Sequence, residues 1–170
     1  MKVKPHIVII GGGAAGFFAA ITVAEAMNDD VDITILEQAS KELQKVKISG
    51  GGRCNVTNAC FDIEELITNY PRGAKALRGP FNRFGPADIM QWFEEHGVPL
   101  KTEADNRVFP VSDRSESIVD CLLNSARRHK VKIQTSSGVK SISQNKNGYI
   151  VQTLVGEILA DALLVASGSN

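Results

Sequence analysis

The sequence predicts an α/β fold, a parallel sheet with an antiparallel β-meander inserted in it. Three observations predict it. First, a β-branched run, a glycine turn and an alanine-rich stretch follow one another from Ile7 to Met27 and lead into a second β-branched run at Asp32–Glu37. Second, short extended runs separated by turn residues lie at Val139–Gln144, Tyr149–Leu154 and Glu157–Ala160. Third, one more apolar run, Ala162–Ala166, has the composition of a buried parallel strand.

Ile7-Val8-Ile9-Ile10 is bounded by Pro5 and by glycines, as a strand buried on both faces should be. Ala14–Met27 reads as a helix, ended by Asn28-Asp29-Asp30. Asp32–Glu37 is the next strand and finishes on an acid, completing a βαβ unit. From Gln38 to Cys60 the pattern is irregular, and a stretch of that length is usually functional or disordered. Phe61–Tyr70 reads as a short helix. Gly85-Pro86 opens a clearer one, with Ile89, Met90, Trp92 and Phe93 as its apolar stripe and Gly97 closing it.

Asn106–Val111 reads as extended chain. Ser115–Lys130 is amphipathic through Ile118, Val119, Leu122, Leu123 and Ala126, and Val131–Thr135 returns to the sheet. Asn147-Gly148 is the strongest short hairpin signal in the meander, and Val155-Gly156 marks its second turn.

Composition bounds the function classes. The 170 residues suit one globular domain, and 43% of them are hydrophobic. Lysine plus arginine (19) equals aspartate plus glutamate (19), which argues against a nucleic-acid or membrane partner held by bulk charge. Three cysteines, Cys54, Cys60 and Cys121, match no metal spacing and no disulfide framework, so free thiols and a cytoplasmic location are expected. Lys2 and Lys4 before the uncharged run Ile7–Ala24 imitate a secretory signal. The glycines at 11, 12, 13 and 16 interrupt it where such a segment should be continuous.

The first chemical motif is Gly11-x-Gly13-x-x-Gly16 between strand and helix. Gly11 permits the tight turn, Gly13 admits a pyrophosphate to the backbone, and Gly16 lets helix and strand pack closely. Ala14 and Ala15 then supply N–H groups at the positive end of the helix dipole. Glu37 ends the second strand about twenty residues further on. A carboxylate there accepts ribose hydroxyls and repels a 2′-phosphate, with Gln38 beside it.

The second motif is Ser49-Gly50-Gly51-Gly52-Arg53-Cys54-Asn55. Its glycines let N–H groups converge on an anion or a ring edge, and Arg53 would add positive charge near phosphate or a reduced flavin. The third is Ala166-Ser167-Gly168-Ser169, small residues at the carboxyl end of a strand, where open α/β sheets bind ligands.

These motifs give the chain its resemblance. Ile9–Gly16, Lys47–Asn58 and Asn106–Asp113 resemble the N-terminal portion of the bacterial FAD-dependent oxidoreductase family that includes BaiN and aminoacetone oxidase. The resemblance implies a Rossmann-like FAD-binding domain of glutathione-reductase type over residues 1–170. It also implies that the chain is C-terminally truncated, a fragment of a longer chain or a degenerate protein, with the substrate domain and the final FAD segment, needed for a complete site, absent. It implies FAD as cofactor, with NAD(P)H a candidate transient electron donor and a small molecule as substrate. It places adenosine and pyrophosphate at Gly11, Gly13, Ala15, Gly16 and Glu37, and the loop Gly51–Cys54 beside flavin or pyrophosphate. Val139 would offer adenine a backbone contact, and Ser167 and Gly168 stand where the family has Thr-Gly. Two alternatives stay open: an NAD-binding dehydrogenase domain, and an inactive nucleotide-binding fragment.

No residue is assigned a catalytic or metal-binding role. Cys54 is better read as packing than as redox-active, and Cys60 and Cys121 as structural. His6, His96 and His129 are scattered; Trp92 and Phe93 belong to the core; Lys41, Lys45 and Lys47 form a solvated face.

Overall fold

A computed structural model describes residues 4–168. The chain divides into two compact units, one of residues 1–46 and 122–170 and one of residues 47–121.

In the first unit, β1 (His6–Ile10) is followed by α1 (Ala14–Ala26) and β2 (Asp32–Leu36), the βαβ start expected from the sequence. The four strands of its parallel sheet run in the order β10, β1, β2, β6, with β6 at Lys132–Gln134 and β10 at Ala162–Val165. The sheet is built from the β-branched runs, and Val8 and Ile9 are fully buried. α1 buries Phe17, Ala20, Ile21 and Ala24. Each large side chain buried in this way contributes roughly 1.5–3 kcal/mol. Asn28 and Asp29 end the helix in left-handed conformations (φ 48° and 58°), which short polar side chains tolerate.

The meander is β7 (Val139–Asn145), β8 (Gly148–Thr153) and β9 (Glu157–Ala160), all antiparallel. Val151 and Ala160 from it join Val8 and Leu36 of the parallel sheet in one buried cluster, with Val139, Tyr149, Ile158 and Leu163 packed around. Two details differ from expectation. The first hairpin loop is Lys146-Asn147, because Asn145 pairs with Gly148. Gly148 serves a different end: a Cβ there would stand 2.2 Å from the Ala160 carbonyl oxygen, so only glycine lets β9 come this close. β10, expected to be buried, is the edge strand of its sheet, and Leu164 and Val165 are exposed.

The second unit carries β3 (Thr57–Asn58), β4 (Leu100–Thr102) and β5 (Arg107–Pro110) in the antiparallel order β3, β5, β4, with helices α3 (Ile63–Thr68), α4 (Ala74–Arg83) and α5 (Pro86–Glu95). Asp62 caps α3 by accepting the Glu64 and Glu65 N–H groups at 2.8 and 3.2 Å. In α5 Phe93 is buried whereas Trp92 is only half-buried, stacked on His96. α2 (Gln44–Gly52) and α6 (Glu116–Arg128) cross the boundaries between the units. The stretch expected to be irregular from Gln38 to Cys60 therefore holds a helix and a short strand. α2 loses helical geometry at Ser49 (ψ 152°) and continues through Gly50 and Gly51 in left-handed conformations.

Candidate functional site: the carboxyl ends of the parallel strands

The strands β1, β2 and β10 end at Ile10, Leu36 and Val165 and run into Gly11, Glu37 and Ala166, at one end of one sheet. After β1 the chain builds outward on one side through β2 to β6, and returns to the other side as β10. The crevice beyond the ends of β1 and β10 is thus the topological switch point, where open parallel sheets bind ligands.

The glycine turn is tight on two sides and open on one. Gly11 has φ 116°, and a Cβ on it would lie 2.2 Å from the Ala166 carbonyl oxygen. A Cβ on Gly16 would lie 2.0 Å from the Gly11 carbonyl oxygen. Gly13 is different: nothing stands within 4 Å of where its Cβ would be. It is the N-cap of α1, with no side-chain capping bond, and Ala14 and Ala15 are exposed beside it. An uncapped helix start facing open space is what an anionic group needs to reach backbone N–H donors.

Glu37 is drawn back onto this turn. Its Oε2 accepts the Gly12 N–H at 2.7 Å and its Oε1 accepts the Ala39 N–H at 2.7 Å. Each oxygen keeps a lone pair for a further donor. Gly12 was not among the expected site residues, yet it is required here: a Cβ on it would lie 2.9 Å from the Glu37 Cβ. The run of three glycines was the signal for it. The Gly12 carbonyl in turn accepts the N–H of buried Leu43 at 2.8 Å.

Gln38 is exposed, and its Cγ stands 3.3 Å from the position a Gly138 Cβ would take. Glu37 and Ala39 carbonyls accept the Ser137 and Ser136 N–H groups, both at 2.8 Å, which ties the segment before β7 to the end of β2. Val139, half-buried, follows Gly138 at the start of β7. On the opposite side, the Ala166 N–H donates to the Ile10 carbonyl at 2.7 Å, and Ser167 and Gly168 follow, exposed. Ser169 lies outside the described residues. The structure so gathers Gly11, Gly13, Ala14, Ala15, Gly16, Glu37, Gln38, Val139, Ser167 and Gly168 around one end of the sheet.

Gly51, Gly52, Arg53 and Cys54 belong to the second unit. Ser115 fixes their loop: its N–H donates to the Gly52 carbonyl at 2.8 Å and its hydroxyl to the Lys47 carbonyl at 2.7 Å. The Cys54 N–H donates to the Ser49 carbonyl at 3.0 Å. Cys54 is buried, and burial pushes its thiol pKa up against a smaller lowering by the Ser49 hydrogen bond. Arg53, expected to bring positive charge to a ligand, is engaged by acids of its own unit. Its Nη1 lies 2.5 Å from Glu103 Oε1 and 3.4 Å from Asp113 Oδ1, and its guanidinium stacks over Phe109 at 3.9 Å. Lys101 also bonds Asp113, and that hydrogen bond is the main reason the Asp113 carboxyl is held below the usual carboxylate range. Phe109 and Asp113 lie in the Asn106–Asp113 segment that carries the resemblance, whereas Glu103 had no signal in the local sequence.

The histidines have structural bonds. His6 bridges the Leu159 carbonyl (2.8 Å) and Thr34 Oγ1 (2.9 Å), His129 pairs with Asp29 at 2.8 Å, and His96 bonds the Trp92 carbonyl at 2.7 Å. Among the described residues no cluster of three His, Cys, Asp or Glu side chains is placed to hold a metal. No helix among them is long and apolar enough to cross a membrane.

A parallel sheet with a glycine turn at its switch point and an acid at the tip of the next strand defines a Rossmann-type nucleotide-binding domain. The chain belongs to the HI0933-like family, whose Rossmann domain matches residues 5–170. The chain is 32% identical over 97% of its length to the 3-dehydro-bile acid delta(4,6)-reductase of Clostridium scindens, covering 39% of that protein. It is 25% identical over 95% of its length to the ribosomal RNA dihydrouridine synthase of Escherichia coli, covering 38% of it. Among solved structures, the 3-ketosteroid-delta4-(5alpha)-dehydrogenase of Rhodococcus jostii superposes with a TM-score of 0.71 at 16% identity, over 99% of this chain and 47% of that one, which shows a shared fold. The chain thus spans about two-fifths of the length of these curated relatives.

Proposed function

We propose that this chain is the FAD-binding portion of a flavoprotein oxidoreductase. The observation that carries this is the Glu37 carboxylate bonded to Gly12 at the start of α1, opposite the open face of Gly13. The residues fit the adenosine diphosphate half of FAD. Gly13, Ala14 and Ala15 would hold the pyrophosphate on the helix N-terminus, Glu37 would accept the ribose hydroxyls, and Gln38 and Val139 would flank the adenine. The negative charge of Glu37 disfavours a 2′-phosphate in the same place. Bound FAD supplies hydride chemistry at its isoalloxazine; the protein binds, orients and tunes it.

For a protein of the relatives' length, the activity we propose is movement of hydride between a small organic substrate, or a nicotinamide donor, and the flavin. The two curated relatives act by name on very different molecules, a bile acid and ribosomal RNA. The glycine turn and Glu37 would serve NAD as well. The meander and the Ser49–Asn55 loop, which an ordinary NAD site does not need, favour FAD.

The test is uptake of flavin. The purified protein, incubated with FAD and desalted, should keep a visible flavin spectrum at one FAD per chain and should bind NADH more weakly. A colourless protein that binds NADH more tightly would overturn the proposal.

A further inference from the structure

The non-helical end of α2 and the residues that follow it, Gly50–Cys54, form a loop whose conformation its own sequence does not enforce. Gly50, Gly51 and Gly52 have φ of 56°, 69° and 85°, and Cys54, which carries a side chain, has φ 61°. Glycine loses more backbone freedom on ordering than any other residue, so three in succession give the loop no preferred shape. Packing must impose it.

That packing centres on Phe109. Its side chain is fully buried, and its Cε1 stands 3.0 Å from where a Gly50 Cβ would be, so the ring presses directly on the loop backbone. Arg53 lies over the same ring, 3.9 Å from its centroid, with Arg107 further off at 5.5 Å. The Arg53 fork is closed by Glu103, just after β4, at 2.5 Å and by Asp113, just after β5, at 3.4 Å. Glu103 also faces Arg107 at 3.6 Å, and Asp113 also bonds Lys101. The Arg53 charge is therefore matched inside its own unit.

We propose that Arg53 is a positioning residue: stacked on Phe109 and tied to Glu103, it locks Gly50–Cys54 in its left-handed form. What the loop then offers a ligand is the open face of Gly51 and Gly52, where nothing stands within 4 Å of either missing Cβ, and not the Arg53 charge. The identity of that ligand as FAD rests on the function proposed above; the locking of the loop does not.

The experiment measures amide hydrogen exchange at Gly50–Cys54 in the unliganded protein, followed by FAD affinity from flavin fluorescence. The variants are Arg53→Met, Arg53→Lys and Glu103→Gln, with amides of α5 as an internal reference for folding. Arg53→Met and Glu103→Gln should each speed exchange in the loop about tenfold, the order expected from losing one charge-assisted bond on a stacked guanidinium, and leave α5 unchanged. The double variant Arg53→Met/Glu103→Gln should add little to either single change. Arg53→Lys, which cannot stack flat or fork, should fall between wild type and Arg53→Met. FAD affinity should drop in step with loop exchange across the set. Wild-type exchange in Arg53→Met would overturn the assignment. So would a loss of FAD affinity confined to Arg53 variants with loop exchange unchanged, since Arg53 would then touch the ligand itself. If no form takes up FAD but exchange responds as described, the positioning role stands and the FAD reading fails.

Discussion

The Glu37 carboxylate and the Gly12 N–H are joined at 2.7 Å, linking the tip of one parallel strand to the turn that starts the helix after its neighbour. This bond places a negative charge beside the helix start without filling the space over Gly13. Glu37 thus shapes the site before any ligand arrives. Glu37→Gln keeps the size and an acceptor oxygen but removes the charge. A charge-assisted hydrogen bond is worth about 1.5–3 kcal/mol, so FAD affinity should fall by about tenfold or more, with a smaller effect on thermal stability. Flavin fluorescence titration and a melting curve on the same variant check both parts.

Two glycines in one turn should respond in opposite ways. Gly16→Ala puts a methyl group 2.0 Å from the Gly11 carbonyl oxygen, so helix and strand must separate, at a cost of about 1–3 kcal/mol. Gly13→Ala meets nothing within 4 Å, and its φ of −93° suits any residue, so the fold should melt as wild type does. FAD binding should nevertheless weaken in Gly13→Ala, because the methyl group occupies the approach to the helix N-terminus. Equal melting temperatures for the two variants would show that the turn is not built as described.

Cys54 should behave as a buried thiol. Burial raises its pKa, so the reactive thiolate is scarce at neutral pH. Alkylation should be slower than for a free model thiol and should accelerate only above the ordinary thiol range. A folded pKa above the unfolded one means that the associated stability is complete below the unfolded value and is lost as pH rises through the folded value. Iodoacetamide rates against pH, read at Cys54 by peptide mass, check this; a rate that has levelled off by neutral pH would contradict it.

Asp113 titrates in the other direction. Lys101 first, and then Arg53, hold its carboxyl below the usual range. Its contribution to stability is present above the unfolded value of about 4 and is lost as pH falls through the lower folded value. The pair is partly exposed, so the effect is small and screened by salt. An NMR titration should give Asp113 a midpoint below that of a free aspartate in wild type. Lys101→Met should move that midpoint up.

Much of the first unit was legible because its signals are local. The β-branched runs, the glycine turn and the acid at the end of β2 each carry their meaning within a few residues, and the meander announces itself through alternation and turns. What escaped was tertiary. α4 was not read from the sequence: Gly79 and Pro80 stand inside it as helix breakers, and it buries no residue. The burial of β10 was overestimated because an apolar run looks the same at a sheet edge as at its centre. Gly148 looks like a turn residue in sequence, yet its place is set by the approach of β9. The partners of Arg53, Glu103 and Asp113, lie fifty and sixty residues away and meet it only in the folded unit. A charge in a glycine-rich loop cannot be assigned until its partners are known.

The central claim is that the end of the sheet formed by Gly11–Gly16, Glu37–Gln38 and Gly138–Val139 receives the adenosine diphosphate half of FAD. Backbone amide chemical-shift mapping with added FAD, and separately with ADP, tests it most directly. Both ligands should shift the same set, centred on Gly12–Gly16, Glu37–Ala39 and Val139. Shifts centred on the opposite ends of the strands, at His6, Asp32 and Asp161, or no shift with either ligand, would contradict it.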